Sequence, residues 1–292
     1  MSAVTKDQLY LDIKECQEIE LCLMKRIHDY CERYGLRYNL AFGTLLGAVR
    51  HHGFIPWDND MDILMPRPDY ERLLSLVAED PIGEHAYLLH WSTDDSYHYP
   101  IVRICDDRTV VAPSYVREQP ERMGVWVDIF PVDGVWENPW AHVPSRVEMR
   151  ALKVLQRADN YSSESSTGIK RVLKAVISRF FPNRDNAFQR KIDEVAMRCP
   201  FGSTTFADTV TEYEETYPRL TVDNFNYPVM LEFEGAEFRC PANWDEILTW
   251  TYGSYLQLPP ENERMTHDVH ACWLNDEARQ MLAAELGGAH ED

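Results

Sequence analysis

Asp58, Asp60 and Asp62 stand two residues apart and run straight into Ile63-Leu64-Met65. Side chains two apart on a strand share a face, so the spacing predicts a strand over 60–65 with converging carboxylates. Such carboxylates repel one another unless a cation lies among them, and hard oxygen donors suit Mg²⁺ or Mn²⁺. A further acid, Asp128, sits inside Trp126-Val127-Asp128-Ile129-Phe130, a predicted strand over 125–130 stopped by Pro131. A lone carboxylate in an apolar strand is expensive to bury, and joining the same cation site from a neighbouring strand would offset that expense. The spacing by itself also fits a solvated acidic turn that caps the next helix. The preceding segment favours a site. Leu36, Tyr38, Leu40 and Phe42 alternate with Arg37, Asn39 and Ala41 as in a half-buried strand, Gly43-Thr44 breaks it, and 45–51 reads as a short helix. A glycine turn entering a helix leaves N–H donors and the positive end of the helix dipole facing outward, which is a natural seat for phosphate.

Around this block the chain alternates helical and strand patterns. Leu9, Ile13, Cys16, Ile19, Leu23, Ile27 and Tyr30 recur at steps of three and four, and Gly35 is placed to end that helix. Pro68 can open another helix with Leu73, Leu74 and Val77 on its apolar side. Arg103 and Arg108 flank Asp106-Asp107 in an apparent hairpin. Short strands are expected near 227–238 and a helix over about 243–252. Between Ser145 and Lys191 there are eleven Lys or Arg against four Asp or Glu, and 139–200 reads as a basic helical insertion around a Ser-rich loop. The order helix, strand, helix, strand, helix points to an α/β or α+β core with this helical insertion, in one domain, 1–292.

Charge narrows the partners. The 292 residues include 48 Asp or Glu against 29 Lys or Arg, a net charge of −19, so nucleic acid is not an expected partner. No uncharged stretch approaches a membrane span and the first residues lack the apolar core of a signal peptide, so at most peripheral membrane contact is expected. Seven scattered cysteines with no CxxC spacing suit free thiols in a reducing compartment, and the expected location is cytoplasmic.

Strand, Gly-Thr, short helix, strand with alternating acids and a later third acid resembles the layout of the nucleotidyltransferase (polymerase-β-like) superfamily, which implies an α+β fold with a mixed sheet flanked by helices. The run 42–62, Phe-Gly-Thr-Leu-Leu-Gly-Ala-Val-Arg-His-His-Gly-Phe-Ile-Pro-Trp-Asp-Asn-Asp-Met-Asp, resembles the signature of the LicD family. These are phosphocholine transferases of bacterial surface polysaccharides, with fukutin-type phosphoribitol transferases as distant relatives. The resemblance continues through Pro66-Arg67, Asp69-Tyr70 and Val127-Asp128-Ile129-Phe130-Pro131. Near the C-terminus it returns in Tyr252-Gly253-Ser254-Tyr255, Leu258-Pro259-Pro260, Arg264 and His267. Asn59 departs from it, where many members carry a third consecutive acid.

The resemblance implies transfer of a phosphocholine-type group from a CDP-choline-like donor to a hydroxyl of a glycan or lipid-linked glycan, with release of CMP. It implies that Asp60, Asp62 and Asp128 hold Mg²⁺ or Mn²⁺, that Asp128 takes the proton of the incoming hydroxyl, and that Asp58 is a ligand or orients one. Gly43, Thr44 and Arg50 would bind phosphate, with Arg103, Arg264 and His267 as further donor or acceptor contacts; surface salt bridges and structural roles are the alternatives. A quaternary ammonium is best held by aromatic faces, and Trp57, Tyr97, Tyr99, Trp126 and Trp136 are near the motifs, although most aromatics are core. The basic insertion either approaches an anionic acceptor or membrane leaflet, or is a solvated surface. Alternative chemistries are a nucleotidyltransferase that releases pyrophosphate and a DxD glycosyltransferase.

Overall fold

The computed structural model describes residues 10–111, 123–160, 179–180, 183–211, 220–264 and 271–288. Helix α1, Ile13–Tyr34, begins at Asp12, whose carboxylate accepts from the Glu15 N–H while the Glu15 carboxylate accepts from the Asp12 N–H. It ends at Gly35 in the left-handed conformation (φ 61°, ψ 40°), which a glycine adopts without a Cβ penalty. Its buried stripe is Cys16, Ile19, Leu23, Met24, Ile27, Tyr30 and Cys31, with one charged member, Glu20. Each buried Leu or Ile of such a stripe stabilises by about 1.5–3 kcal/mol.

The stripe lies on a mixed sheet. Its strands are β1 (Asn39–Leu40), β2 (Met61–Pro66), β3 (Ala86–Leu89), β4 (Val102–Asp106) and β6 (Trp126–Val135), in the order β1-β2-β6-β4-β3. Only β2 and β6 run parallel; the other pairs are antiparallel. Helix α2 (Phe42–His51) links β1 to β2, and α3 (Arg67–Glu79) follows β2 with Pro68 in its first turn. Strand β7 (Phe206–Asp208) pairs with the second half of β6, and β8 (Leu220–Thr221) with β7. Helices α4 (Pro139–Asn160) and α5 (Ala187–Ala196) pack around Met149, Ile192, Val195 and Ala196. Buried amides tie this pair to the loop after β3: Asn186 Nδ2 donates to Trp91 O (2.9 Å) and Gln189 Nε2 to His98 O (2.6 Å). The turn α6 (Asp223–Asn226), the hairpin β9 (Val229–Phe233) and β10 (Ala236–Cys240), and α7 (Trp244–Tyr252) follow. β11 (Ala271–Trp273) pairs with β5 (Thr109–Val111), and α8 (Asp276–Gly288) comes last.

Three local expectations change. The strand expected over 36–42 is only Asn39–Leu40, because Phe42 and Gly43 already belong to α2. Strand β6 does not stop at Pro131 but runs to Val135. Pro131 falls between the residues paired with β4, 126–129, and those paired with β7, 133–135, where no antiparallel neighbour needs its N–H. The turn at Asp106-Asp107 makes no hairpin, since β4 pairs with β3 and β6 whereas β5 pairs with β11. Of the basic stretch, 161–178 lies outside the described residues, and with it most of 170–179.

Candidate active site

The parallel pairing sets Asp62 of β2 directly beside Asp128 of β6, and the antiparallel pairing sets Arg103 of β4 on the other side of Asp128. Register partners project to one face, so the sheet carries a row Asp62, Asp128, Arg103. Asp62 and Asp128 are 9% and 8% exposed. Arg103 Nε donates to Asp128 Oδ1 (2.8 Å), and Trp126, two residues back on the same face, donates from Nε1 to Oδ2 (3.0 Å). Burial opposes the charge of Arg103, but Asp128 and neighbouring groups outweigh it and hold the guanidinium charged.

Asp58 and Asp60 reach this row by another route than the one their spacing suggested. Only Asp62 lies on the strand; Asp58 and Asp60 belong to the loop before it. The Asp58 N–H donates to Ile55 O (2.9 Å), and Gln17 Nε2 of α1 donates to Asp58 O (2.7 Å), folding the loop back over the strand end. The carboxylates meet closely enough to act on one another. Burial, then Asp58, including a hydrogen bond with it, and Asp128 push the pKa of Asp60 well above the usual carboxylate range. Burial, then Asp60, Asp128, Asp58 and Glu20 do the same to Asp62. Glu20 is itself raised by burial and then by Asp60, Asp58 and Asp128.

Helix α2 starts against this cluster. Ala41 N–H donates to Asp62 O (3.1 Å) and Asp62 N–H to Thr44 Oγ1 (2.8 Å), so the first turn of α2 is stitched to both sides of Asp62. The N-cap residue, Ala41, supplies no side-chain acceptor to that turn. A Cβ on Gly43 would lie 2.6 Å from Asp58 Oδ2, so the carboxylate occupies the space that the missing side chain leaves. Arg50, near the end of α2, donates from Nη1 to Tyr255 O (2.8 Å), and burial lowers its pKa. Arg264 stacks on Trp57 at 4.8 Å from the ring centroid and donates from Nε to Pro259 O (3.1 Å). Tyr252 is close enough for Asp62, Asp58 and Asp60, after burial, to raise its pKa.

The structure thus brings together Gly43, Thr44, Asp58, Asp60, Asp62, Arg103 and Asp128. Arg50 reaches the segment around Tyr252–Tyr255, and Arg264 stands on Trp57. His267 lies outside the described residues. The aromatic set read as a candidate cage for a ligand cation is engaged by groups of the chain itself. Arg103 sits 4.0 Å from the Trp126 centroid, 4.5 Å from Tyr99 and 6.0 Å from Tyr97, Trp57 faces Arg264, and Trp136 packs on His142. Two residues near the acids were not singled out for the site from the sequence, Glu20 and Tyr252. The signal for Glu20 was available: it stands four after Cys16 and three before Leu23, inside the apolar stripe.

Among the described residues no three Asp, Glu, His or Cys side chains are grouped closely enough to hold a metal ion as they stand. In chemistry, though not in spacing, the donors are of the kind a hard divalent cation takes. They are carboxylate oxygens, and for Asp60 and Asp62 burial and then the neighbouring acids disfavour the charged form, a preference that a bound cation would reverse.

A family model described as the LicD/FKTN/FKRP nucleotidyltransferase domain matches residues 35–133. This span contains Gly43, Thr44, Arg50, Asp58, Asp60, Asp62, Arg103 and Asp128. The lipopolysaccharide cholinephosphotransferase LicD of Haemophilus influenzae is 28% identical over 274 residues, covering 90% of this chain and 98% of that protein. An uncharacterized protein of Rickettsia typhi is 29% identical over 116 residues, covering 40% of this chain and 35% of its own. Another, of Rickettsia prowazekii, is 40% identical over 57 residues, covering 20% of this chain and 21% of its own.

Proposed function

Because the chain belongs to the LicD family, we propose that it is a phosphotransferase that moves phosphocholine, or a related phosphoalcohol, from a CDP-linked donor to a sugar or polyol hydroxyl of a cell-surface glycan. The observation that carries this reading is the row Asp62, Asp128, Arg103, whose Asp62 is bonded to the first turn of α2, where the N-cap residue Ala41 offers no side-chain acceptor. The fold to which it corresponds is the nucleotidyltransferase-like one. Asp60, Asp62 and Asp128 hold Mg²⁺ or Mn²⁺ in this reading. The chemistry that ion supplies when bound is neutralisation of the diphosphate and of the charge developing on the leaving CMP.

The chain's own groups do the rest. The N–H groups of Gly43 and Thr44 and the α2 dipole receive donor phosphate oxygens, and Arg50 and Arg264 add cationic contacts from the side of the C-terminal segment. Asp128, held by Arg103 and Trp126, takes the proton of the attacking hydroxyl as its oxygen bonds to phosphorus and the bond to the bridging oxygen of CMP breaks. Arg103 and Trp126 fix the angle from which that carboxylate acts. No helix among the described residues is long and apolar enough to cross a membrane, so a lipid-linked acceptor would be met from its surface. All seven cysteines are free, which accords with work on a cytoplasmic nucleotide donor.

The test is thermal unfolding with cytidine, uridine and adenosine nucleotides and with CDP-choline, each in Mg²⁺ and in EDTA. CDP-choline at a hundredfold excess over its Kd should stabilise by about 2.7 kcal/mol, only with the metal, and not in Asp62→Asn. Stabilisation by a nucleoside triphosphate or a UDP-sugar alone would replace this reading with pyrophosphate-releasing nucleotidyl transfer or glycosyl transfer.

A further inference from the structure

Helix α4 carries two apolar faces, and packing accounts for one of them. Met149 and Leu152 pack with Ile192, Val195 and Ala196 of α5, and Ser145 and Gln156 are buried on the same side. On the opposite side Trp140, Val143, Val147, Ala151 and Val154 recur at steps of three and four, which on an α-helix makes one continuous stripe. Trp140 is 80% exposed, Val147 64%, Val154 58% and Val143 44%. A helix that had only to cover the core would present polar residues there. Arg146, Arg150 and Lys153 each stand one residue before a member of the stripe, so they form a basic border along one of its edges. Glu148, the only acid from 139 to 158, is paired with Lys191 of α5 (3.9 Å) and with Arg198 just beyond α5 (2.7 Å).

An outward apolar stripe with a tryptophan and a basic border is the composition of a helix that lies in the interface of an anionic bilayer. The net charge of −19 does not decide against this, because only charges within a Debye length of about 8 Å act strongly at physiological salt. From Ser145 to Lys191 the local balance is eleven basic against four acidic residues, +7. A second copy of the chain would instead bring a like basic border and a further −19 to the contact. The helix is also joined to the acid site. Gln156 Nε2 donates to His98 O (2.8 Å), and the next residue, Tyr99, stacks on Arg103 (4.5 Å), which holds Asp128.

We propose that the outer face of α4 is a membrane-docking surface, with Trp140, Val147 and Val154 seated among the headgroups of an anionic bilayer and Arg146, Arg150 and Lys153 against lipid phosphates. The proposal deepens the functional reading above, on which its purpose rests, by bringing the chain to the surface that would carry a lipid-linked acceptor. The docking itself needs neither donor nor metal.

The experiment is flotation of the purified full chain with vesicles of phosphatidylglycerol and phosphatidylethanolamine, and with phosphatidylcholine alone, at about 20 and 500 mM NaCl without nucleotide or metal. The native protein should partition onto the anionic vesicles, less so at the higher salt, and not onto phosphatidylcholine. Val147→Asp with Val154→Asp should lower partitioning at least about tenfold while melting within about 2 °C of native. Arg146→Gln, Arg150→Gln and Lys153→Gln together should lower it at least about tenfold as well. Met281→Asp, at an exposed position of α8, should leave it unchanged. No partitioning of the native protein, equal partitioning onto phosphatidylcholine, or partitioning that survives both sets of substitutions overturns the proposal. Stabilisation by CDP-choline is read separately, so the functional reading stands or falls without it. A clearly lower melting temperature in the valine variant would show that the chain itself covers the stripe. A dimer in light scattering that the same variant dissociates would show that a second copy covers it, and either result overturns membrane docking.

Discussion

Asp62, Asp128 and Arg103 are consecutive in one row of the sheet, yet their removal should have different consequences. Asp62→Asn deletes a charge that its neighbours oppose. Turnover should fall by about 10²-fold or more, while the melting temperature in EDTA stays level or rises. Steady-state kinetics and calorimetry on one preparation check both halves. Arg103→Leu does the reverse, leaving Asp128 buried without its counter-charge, and should destabilise by about 3–5 kcal/mol in urea unfolding. The double change Arg103→Leu with Asp128→Leu should recover most of that loss, because no unpaired charge remains. The same logic applies beneath the site. Arg67 makes two bonds to the fully buried Asp133 (2.9 and 2.8 Å) and one to Asp193 (3.2 Å). The resemblance at Pro66-Arg67 and Asp69-Tyr70 thus falls on structural ion pairs, since Asp69 in turn accepts from Arg37.

Among the elements, α2 is the one whose sequence is most tightly constrained by the site. Gly43 must lack a Cβ for Asp58 to stand where it does. Gly43→Ala should therefore leave stability within about 1 kcal/mol, since alanine favours the helix, while displacing the Asp58 carboxylate. Loss of metal-dependent stabilisation by CDP-choline at nearly unchanged melting temperature is the expected readout. The Gly-Thr step was legible in the sequence as a phosphate seat entering a helix, and the alternating acids as a cluster. Their means of convergence was not. Period two accounts for Asp62 alone; Asp58 and Asp60 are brought in by a loop that Gln17 of α1 holds. Likewise, Arg103 read as a donor contact, whereas its guanidinium is enclosed by Trp126, Tyr99 and Tyr97 and bonded to Asp128. These are contacts between segments tens of residues apart, for which local spacing holds no information.

For the whole molecule, the acid cluster and the net charge of −19 act in the same direction. Glu20, Asp60 and Asp62 have folded-state pKa values raised above their ordinary 4.5, 3.8 and 3.8. Their contribution to stability is therefore complete below about pH 4 and is lost as pH rises through the raised values. In EDTA the melting temperature should fall across that window, saturating Mg²⁺ should flatten the fall, and Asp62→Asn should reduce its slope. Added salt should stabilise the metal-free chain at neutral pH by screening self-repulsion, which a comparison at about 10 and 150 mM NaCl measures. Glu285 on α8 opposes this trend locally. Burial works against its charge, but Arg108 and Arg26 outweigh that and lower its pKa, so α8 is held to α1 and to the turn after β4 most firmly when that carboxylate is ionised.

What the amino-acid order determined without help from the fold is whatever short-range chemistry dictates. Helix α1 and its glycine cap, the Gly-Thr entry to α2 and the run of acids all follow from periodicities and φ preferences that act within a few residues. The tertiary structure alone decided the pairing of β2 beside β6, which sets Asp62 against Asp128, the passage of β6 through Pro131, the enclosure of Arg103, and the hold of Gln17 on the acid loop. Those outcomes depend on which distant surfaces share a buried, low-dielectric space, where an unpartnered charge is costly and register fixes its neighbours.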